Sequence, residues 1–382
     1  MRPAPTMPFE FTEYMERIDR CRAAMGEKGI DVLLVTTPED IYYLAGFDSI
    51  GYYAYQFLAL PQEGEPILYV QAVEQAIAAD KSLAEDVRPW MHGEDTIGRT
   101  VEIIHELLDH SGTLGYQGGG YFFKVQSYEK LRQALPSVRF VDIGDTIAEM
   151  RLLKSPAELA YVRRAAELAD IGMQAAIDAV HEGVRENEVT AVMYDAMYRA
   201  GSQYSATPFL IASGPTSAYL HGTGTGREIE RGDVVAMEVG GVAARYHANM
   251  LRTVVVGEAS QQARELHALL KEAVLAAEET VKPGVPVAEI DRTTRRITAP
   301  YDKYRLHRTG YGLEAGYPPA WMGILSISES DPHILTPGMV FSIEPTIALY
   351  DRHLGVILGD LVMVTDTGHE VLTKTPLDLA VR

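Results

Sequence analysis

Cysteine is nearly absent from this chain, with Cys21 the only one in 382 residues. That excludes an intramolecular disulfide and any thiolate metal cage, and it fits a reducing compartment such as the cytoplasm. Positive charge is also scarce, because 34 Lys and Arg face 53 Asp and Glu, for a formal charge of −19. No basic stripe is present to follow a phosphate backbone, so nucleic acid is not an expected partner. No apolar run is long enough to span a bilayer, and no membrane partner is expected. The start, Met1-Arg2-Pro3-Ala4-Pro5, leads into acidic and aromatic residues and does not read as a signal peptide. Low-complexity linkers are missing too.

What is there is ample apolar material, 47% of the chain, and enough length for two domains. Tyr14 to Gly29 reads as an amphipathic helix and Asp31 to Val35 as a buried strand. Strand-like runs at Phe57 to Leu60, Pro66 to Val70 and Val138 to Val141 alternate with helical stretches at Val73 to Ala84, Ile97 to Ser111 and Gln126 to Ala134. This alternation predicts an α/β amino-terminal domain over residues 1–153. Ser155, Pro156 and Glu158 form an N-cap, a first-turn proline and a capping box, which start a long helix towards His181. From residue 154 to 382 the order is helices, strands, helices, strands, predicting an α+β domain with internal pseudo-symmetry.

The same phrase occurs in both halves of that second domain. Gly232-Asp233-Val234-Val235-Ala236-Met237-Glu238 is answered by Gly338-Met339-Val340-Phe341-Ser342-Ile343-Glu344. Each reads as a half-buried strand that ends in a carboxylate. Gly183 with Glu188, and Gly284 with Glu289, repeat the same five-residue interval before a helix. A duplicated unit about a pseudo-twofold axis would bring Glu238 and Glu344 into one cleft.

These residues resemble the pita-bread superfamily of prolidase, aminopeptidase P, methionine aminopeptidase and creatinase. The anchors are Leu153 to Glu158, His221, Tyr246-His247 with Arg252-Thr253, Lys282-Pro283-Gly284, and Leu335 to Val340 leading to Glu344-Pro345. The resemblance covers nearly the whole chain and implies a pita-bread carboxy-terminal domain behind a creatinase/prolidase-type amino-terminal domain. The family's metallopeptidases hold two metal ions through two Asp, one His and two Glu, and activate a water between them. Here those five positions read Glu238, Asn249, Tyr311, Glu344 and Gly359, so the resemblance implies a dismantled centre, no metal and no cofactor. A single ion held by Glu238, Asn249, Glu344 and a nearby His is the residual metal alternative. Arg308 to Trp321 looks like the ectoine-hydrolase version of the site loop, and Ala45 to Tyr53 is similar to theirs too.

The main expectation is therefore a metal-independent hydrolase of a non-peptide C–N bond in a small amidine, guanidino or cyclic amide compound. Glu238 and Glu344 would clamp a planar cation through paired, charge-assisted hydrogen bonds. By position His221 matches the catalytic histidine of creatinase and is the expected proton carrier. Substrate binding is expected of Tyr311, His247, His307, Asn249, Arg308 and Trp321, with Trp321 in a Pro- and Gly-rich loop. Arg252 reads as a structural ion-pair partner. By resemblance the protein is a homodimer, with Phe47 and Tyr52 of one subunit near the active site of the other. Two alternatives remain: a metal-dependent Xaa-Pro peptidase with an altered site, and a non-catalytic peptide-binding domain.

Overall fold

The computed structural model describes residues 7–108 and 110–382, so the opening stretch read for a leader lies outside the described residues. The chain divides into two compact units, Met1–Arg151 and Leu152–Arg382.

In the first unit the elements run α1 (Phe11–Glu27), β1 (Val32–Val35), α2 (Pro38–Ala45), β2 (Phe57–Pro61), β3 (Ile67–Gln71), α3 (Gln75–Asp80), β4 (Asp86–Trp90), α4 (Thr96–Leu108), β5 (Gly112–Tyr116), α5 (Val125–Ala134), β6 (Val138–Asp142) and α6 (Thr146–Leu152). The strands form a mixed sheet in the order β4-β3-β2-β1-β5-β6. β1 pairs antiparallel with β2 and parallel with β5. Because β1 to β3 are buried along their whole length, they are continuous apolar runs instead of alternating ones. Two strands escape sequence reading. Asp86–Trp90 carries Asp, Arg and Pro, and Gly112–Tyr116 carries two glycines, so neither has the β-branched composition of a strand.

The second unit opens with α7 (Pro156–Ala179). Its capping box is formed, with Ser155 Oγ accepting from Glu158 N at 3.2 Å and Glu158 Oε2 from Ser155 N at 2.8 Å. There follow α8 (Glu186–Arg199), β7 (Leu210–Ser213), β8 (Val234–Ala243), β9 (Tyr246–Val255), α9 (Gln261–Thr280), α10 (Ala288–Thr298), β10 (Gly310–Tyr317), β11 (Ala320–Ile327), β12 (Val340–Ile343), β13 (Thr346–Leu349), β14 (Leu354–Ile357), β15 (Asp360–Val364), β16 (His369–Val371) and β17 (Ala380–Val381). A helix pair followed by strands thus occurs twice. Nine of the strands join in one sheet, ordered β16-β15-β12-β10-β9-β8-β7, with β11 beside β10 and β17 beside β9, while β13 and β14 pair with each other as a separate two-stranded sheet.

Within this sheet the hairpin β8/β9 has a register that runs from Val234 opposite Val255 to Ala243 opposite Tyr246. Helix α7 lies against it so closely that a Cβ on Gly241 would stand 1.9 Å from the carbonyl oxygen of Ala165. Glycine is required there by contact with another backbone, which cannot give way.

Two expectations about the repeated phrase are corrected. β8 is buried along nearly all its length, not half-buried, and Glu238 sits in its middle, not at its end. The stretch containing Tyr317 and Trp321 is not a loop but the turn of the β10/β11 hairpin with its flanking strands. Its prolines, Pro318 and Pro319, fall in the turn, where no ladder N–H is needed.

Candidate active site

The site is built from strand register. Glu238 stands opposite Leu251, and Asn249 opposite Gly240, so Glu238 and Asn249 are diagonal neighbours on one face of the hairpin. β10 brings Tyr311 to the same place. Glu344, one residue beyond β12, is held by its own N–H donating to Thr309 O at 2.7 Å. Ser342 lies two residues earlier and therefore on the same face, and its hydroxyl donates to Glu344 Oε2 at 2.7 Å.

Asn249 joins the two acids. Its Nδ2 lies 2.9 Å from Glu238 Oε1 and 2.8 Å from Glu344 Oε2, with the Tyr311 hydroxyl at 3.1 Å. The phenol in turn donates to Glu238 Oε1 at 3.2 Å and accepts from Trp321 Nε1 at 3.2 Å. Both acids are buried, 7% and 3% exposed. Burial pushes the Glu238 carboxyl up, against the lowering effect of its bonds to Asn249 and Tyr311. For Glu344, burial and then the neighbouring Glu238 charge push the carboxyl up to about 8. Two adjacent desolvated carboxylates cannot both ionise cheaply, so at neutral pH the pair holds a proton. Tyr311 is driven well above its usual value by burial and by both acids, and it stays a phenol.

Glu238, Tyr311, Trp321 and Glu344 of this group line a cavity of about 310 Å³. Leu210, Leu220, Leu251, Ile357 and the Trp321 ring supply apolar wall, and His221 and His307 also line it. His221 is exposed in a turn after Leu220. His307 has its Nδ1 2.9 Å from Arg308 O and 3.8 Å from Glu344 Oε1. Burial, the main cause, lowers its pKa and keeps the ring neutral. Indole packing is permitted by Gly240, where a Cβ would stand 2.4 Å from Cζ3 of Trp321.

Several expected site residues are placed elsewhere. His247 is fully buried behind the site, its Nε2 accepting from Ala206 N at 3.0 Å, and burial pushes its pKa down to about 3. It supports the Trp321 ring, 6.0 Å away, and does not line the cavity. Phe47 belongs to the core of the first unit at 2% exposure, so its ring is not available to cover a ligand. Tyr52 lies in that unit too, half-buried and edge-on to Phe122 at 5.6 Å. Arg252 is the buried partner of Asp360 at 2.7 Å, as its sequence context suggests, and also donates to Leu251 O and Gly359 O. Ser342 and the apolar wall other than Trp321 escaped sequence reading. Ser342 was accessible to a period-two argument from Glu344, but the wall residues, spread over five strands and loops, were not.

The donor set does not fit a two-metal centre. The Asn249 amide nitrogen, a hydrogen-bond donor, lies between the carboxylates where a cation would be ligated. A Cβ at Gly359 would meet Ile343 O at 2.7 Å and Glu344 Cβ at 2.8 Å, so no acid fits at that backbone position. Tyr311 is locked as a phenol. Among the described residues no cluster of three His, Cys, Asp or Glu side chains is placed to hold an ion.

Residues 160–366 match the model of metallopeptidase family M24, and residues 17–153 match the creatinase/prolidase amino-terminal domain. The class defined by fold and site is thus a two-domain pita-bread hydrolase. The chain belongs to the M24 family, within the creatinase/prolidase superfamily. An Xaa-Pro dipeptidase of Pyrococcus furiosus is 32% identical over 95% of this chain and 99% of its own length. The ectoine hydrolase of Halomonas elongata is 29% identical over 99% of both chains. The crystal structure of the prolidase from Pyrococcus horikoshii superposes with a TM-score of 0.85 at 28% identity, covering 95% of this chain and 99% of that one. These findings correct the main expectation of a metal-independent hydrolase of a non-peptide C–N bond. A metallopeptidase family and Xaa-Pro dipeptidase relatives favour the alternative, a metal-dependent Xaa-Pro peptidase with an altered site. Among the described residues no helix is long and apolar enough to cross a membrane.

Proposed function

We propose that this protein is a hydrolase of the prolidase type that cleaves the amide bond of a small dipeptide-like substrate, with Xaa-Pro dipeptides the first class to assay. The observation that carries the reading is the pair Glu238 and Glu344 in the lining of one cavity, held on one nitrogen of Asn249. The prolidase-type relatives, matched along the whole chain, supply the substrate class.

Because the donor set does not fit the two-metal centre, the chemistry is derived from the side chains alone. With one proton shared over the pair, the acids are a general base and a general acid joined through the Asn249 amide. The ionised carboxylate takes a proton from water as the water oxygen bonds to the amide carbon. The protonated carboxyl gives its proton to the nitrogen as the C–N bond breaks, and the pair again holds one proton. Tyr311 and Asn249, both donors, fix the carboxylates in position. His221, exposed at the same cavity, exchanges protons with solvent.

The test is release of proline from glycyl-proline and alanyl-proline between pH 6 and 9, with Mn²⁺, Co²⁺ or a chelator, beside Glu344→Gln and Glu238→Gln. Turnover that both variants lose while keeping the wild-type circular dichroism spectrum is expected. Undiminished turnover in either variant would remove the acid pair from the mechanism, and no turnover of any dipeptide would remove the substrate class.

A further inference from the structure

The first unit holds a cavity of its own, about 230 Å³ in volume, framed by the chain ahead of β2, the start of α4 and the start of α5. It shares no lining residue with the cavity of the acid pair. Its polar side is made by Thr96, Lys124, Gln126, Ser127 and Lys130. Among the described residues no carboxylate stands within ion-pair distance of either lysine, and the side chains of Thr96, Gln126 and Ser127 make no hydrogen bond. The acid next to Thr96 is turned to the backbone, with Asp95 Oδ1 accepting from Gly98 N at 3.0 Å. Elsewhere lysines of this chain are answered, Lys271 by Asp378 at 2.6 Å and the buried Lys154 by Glu314 at 3.6 Å. In a chain of formal charge −19, two lysines that share a cavity and no acid mark a place of positive potential.

The opposite side is aromatic, and its rings are fixed. The Tyr55 hydroxyl lies 3.2 Å from Thr100 Oγ1, its carbonyl accepts from Trp90 Nε1 at 2.9 Å, and its ring meets Phe57 edge-on at 5.9 Å. Phe122 is held edge-on to Tyr52 at 5.6 Å. Rings held in this way pack on a planar guest with little ordering left to lose. The volume is below that of a pocket for a drug-sized ligand, so it suits a single ring. Lysine acts on an anion as a point charge, without the fork by which arginine grips a carboxylate. Two such charges match the charge of about −2 on a phosphate monoester at neutral pH.

We infer that this cavity is a second ligand site, for a small phosphate monoester built on one planar ring, with the phosphate on Lys124 and Lys130 and the ring against Tyr55 and Phe122. The inference stands apart from the dipeptidase reading, because it concerns another cavity and invokes no reaction.

Calorimetry with phenyl phosphate, inorganic phosphate and phenol tests it. Phenyl phosphate should occupy one site per chain, at least tenfold more tightly than either of the other two, and more weakly as salt is added. The double variant Lys124→Gln/Lys130→Gln alters two exposed side chains and should lose at least tenfold in affinity for phenyl phosphate. Phe122→Leu should lose severalfold. Absence of phenyl phosphate binding would overturn the inference, as would inorganic phosphate or phenol bound equally well. Undiminished binding in the double variant would place the anion elsewhere and overturn it too, and undiminished binding in Phe122→Leu would remove the ring from the assignment. Unchanged melting temperature and circular dichroism in the double variant separate loss of the site from misfolding.

Discussion

Trp321 donates its indole N–H to the phenolic oxygen of Tyr311 at 3.2 Å, and this leaves the phenol's own hydrogen to point at Glu238. Trp321, expected from the sequence to bind substrate, thus acts on the acid pair through a second side chain. Trp321→Phe keeps the apolar wall and removes the donor. The variant should lose roughly 1 kcal/mol of stability, the usual net worth of such a bond. Its turnover should fall about tenfold, with the limbs of the kcat pH profile displaced, which simple loss of packing would not do. Gly240→Ala should reproduce the phenotype, because the new Cβ would displace the same indole ring.

Glu344 has a pH signature. Its folded carboxyl is pushed up to about 8 from an ordinary 4.5, so the folded state holds the proton more tightly than the unfolded state. Its contribution to stability is complete below pH 4.5 and is lost as the pH rises from there through about 8. Relative to wild type, Glu344→Gln should therefore gain several degrees in melting temperature between pH 6 and pH 9. Parallel melting curves across that range would show that the acid is not held protonated.

Asn249→Asp changes the charge of the site. A third buried carboxylate beside Glu238 and Glu344 replaces two N–H donations with repulsion, costing on the order of 2–4 kcal/mol at neutral pH. It also supplies a third acid to the place where the family's ligands converge. Added Mn²⁺ or Zn²⁺ should restore the melting temperature of this variant in a concentration-dependent way, and should raise that of the wild type far less. Identical metal responses in the two proteins would refute the view that the amide is what makes this site unsuited to a cation.

Arg252 and Asp360 form a buried pair at 2.7 Å, with four backbone carbonyls also accepting from the guanidinium. Arg252→Ala leaves Asp360 desolvated and largely unpaired, which should cost about 3–5 kcal/mol in denaturant unfolding. If the loss is within 1 kcal/mol, roughly the value of a surface pair, the arginine is not the tie between β9 and β15 that its contacts describe.

Helices with clear start signals were the most legible part of the chain. Gln261–Thr280 and the capped start of α7 were readable because their determinants are local: an N-cap, a proline, a period of 3.6. The β10/β11 hairpin was misread because glycine and proline signal a turn from either side, while the strands here derive their order from β9 and β12 across the sheet. His247 was misassigned for a related reason. A histidine in sequence does not reveal which way a strand residue faces, and alternation places this one opposite Val242, where its acceptor nitrogen meets the backbone of Ala206.

What the amino-acid sequence determines by itself is the inventory: a duplicated strand ending in or containing an acid, Asn249, Tyr311 and Gly359 at three of the positions where the family's ligands fall, and the local signals that start the helices. These follow from residue identity and short-range periodicity. Only the tertiary structure decides that one amide nitrogen bridges both acids, that Trp321 turns the phenol towards Glu238, that His247 is neutral and hidden, and that Arg308 packs over the Tyr311 ring and faces no acid among the described residues. Each of those depends on burial and on side chains brought together from strands up to 95 residues apart in sequence. The pKa of a carboxylate and the partner of a cation are properties of that surrounding, which no local run of residues encodes.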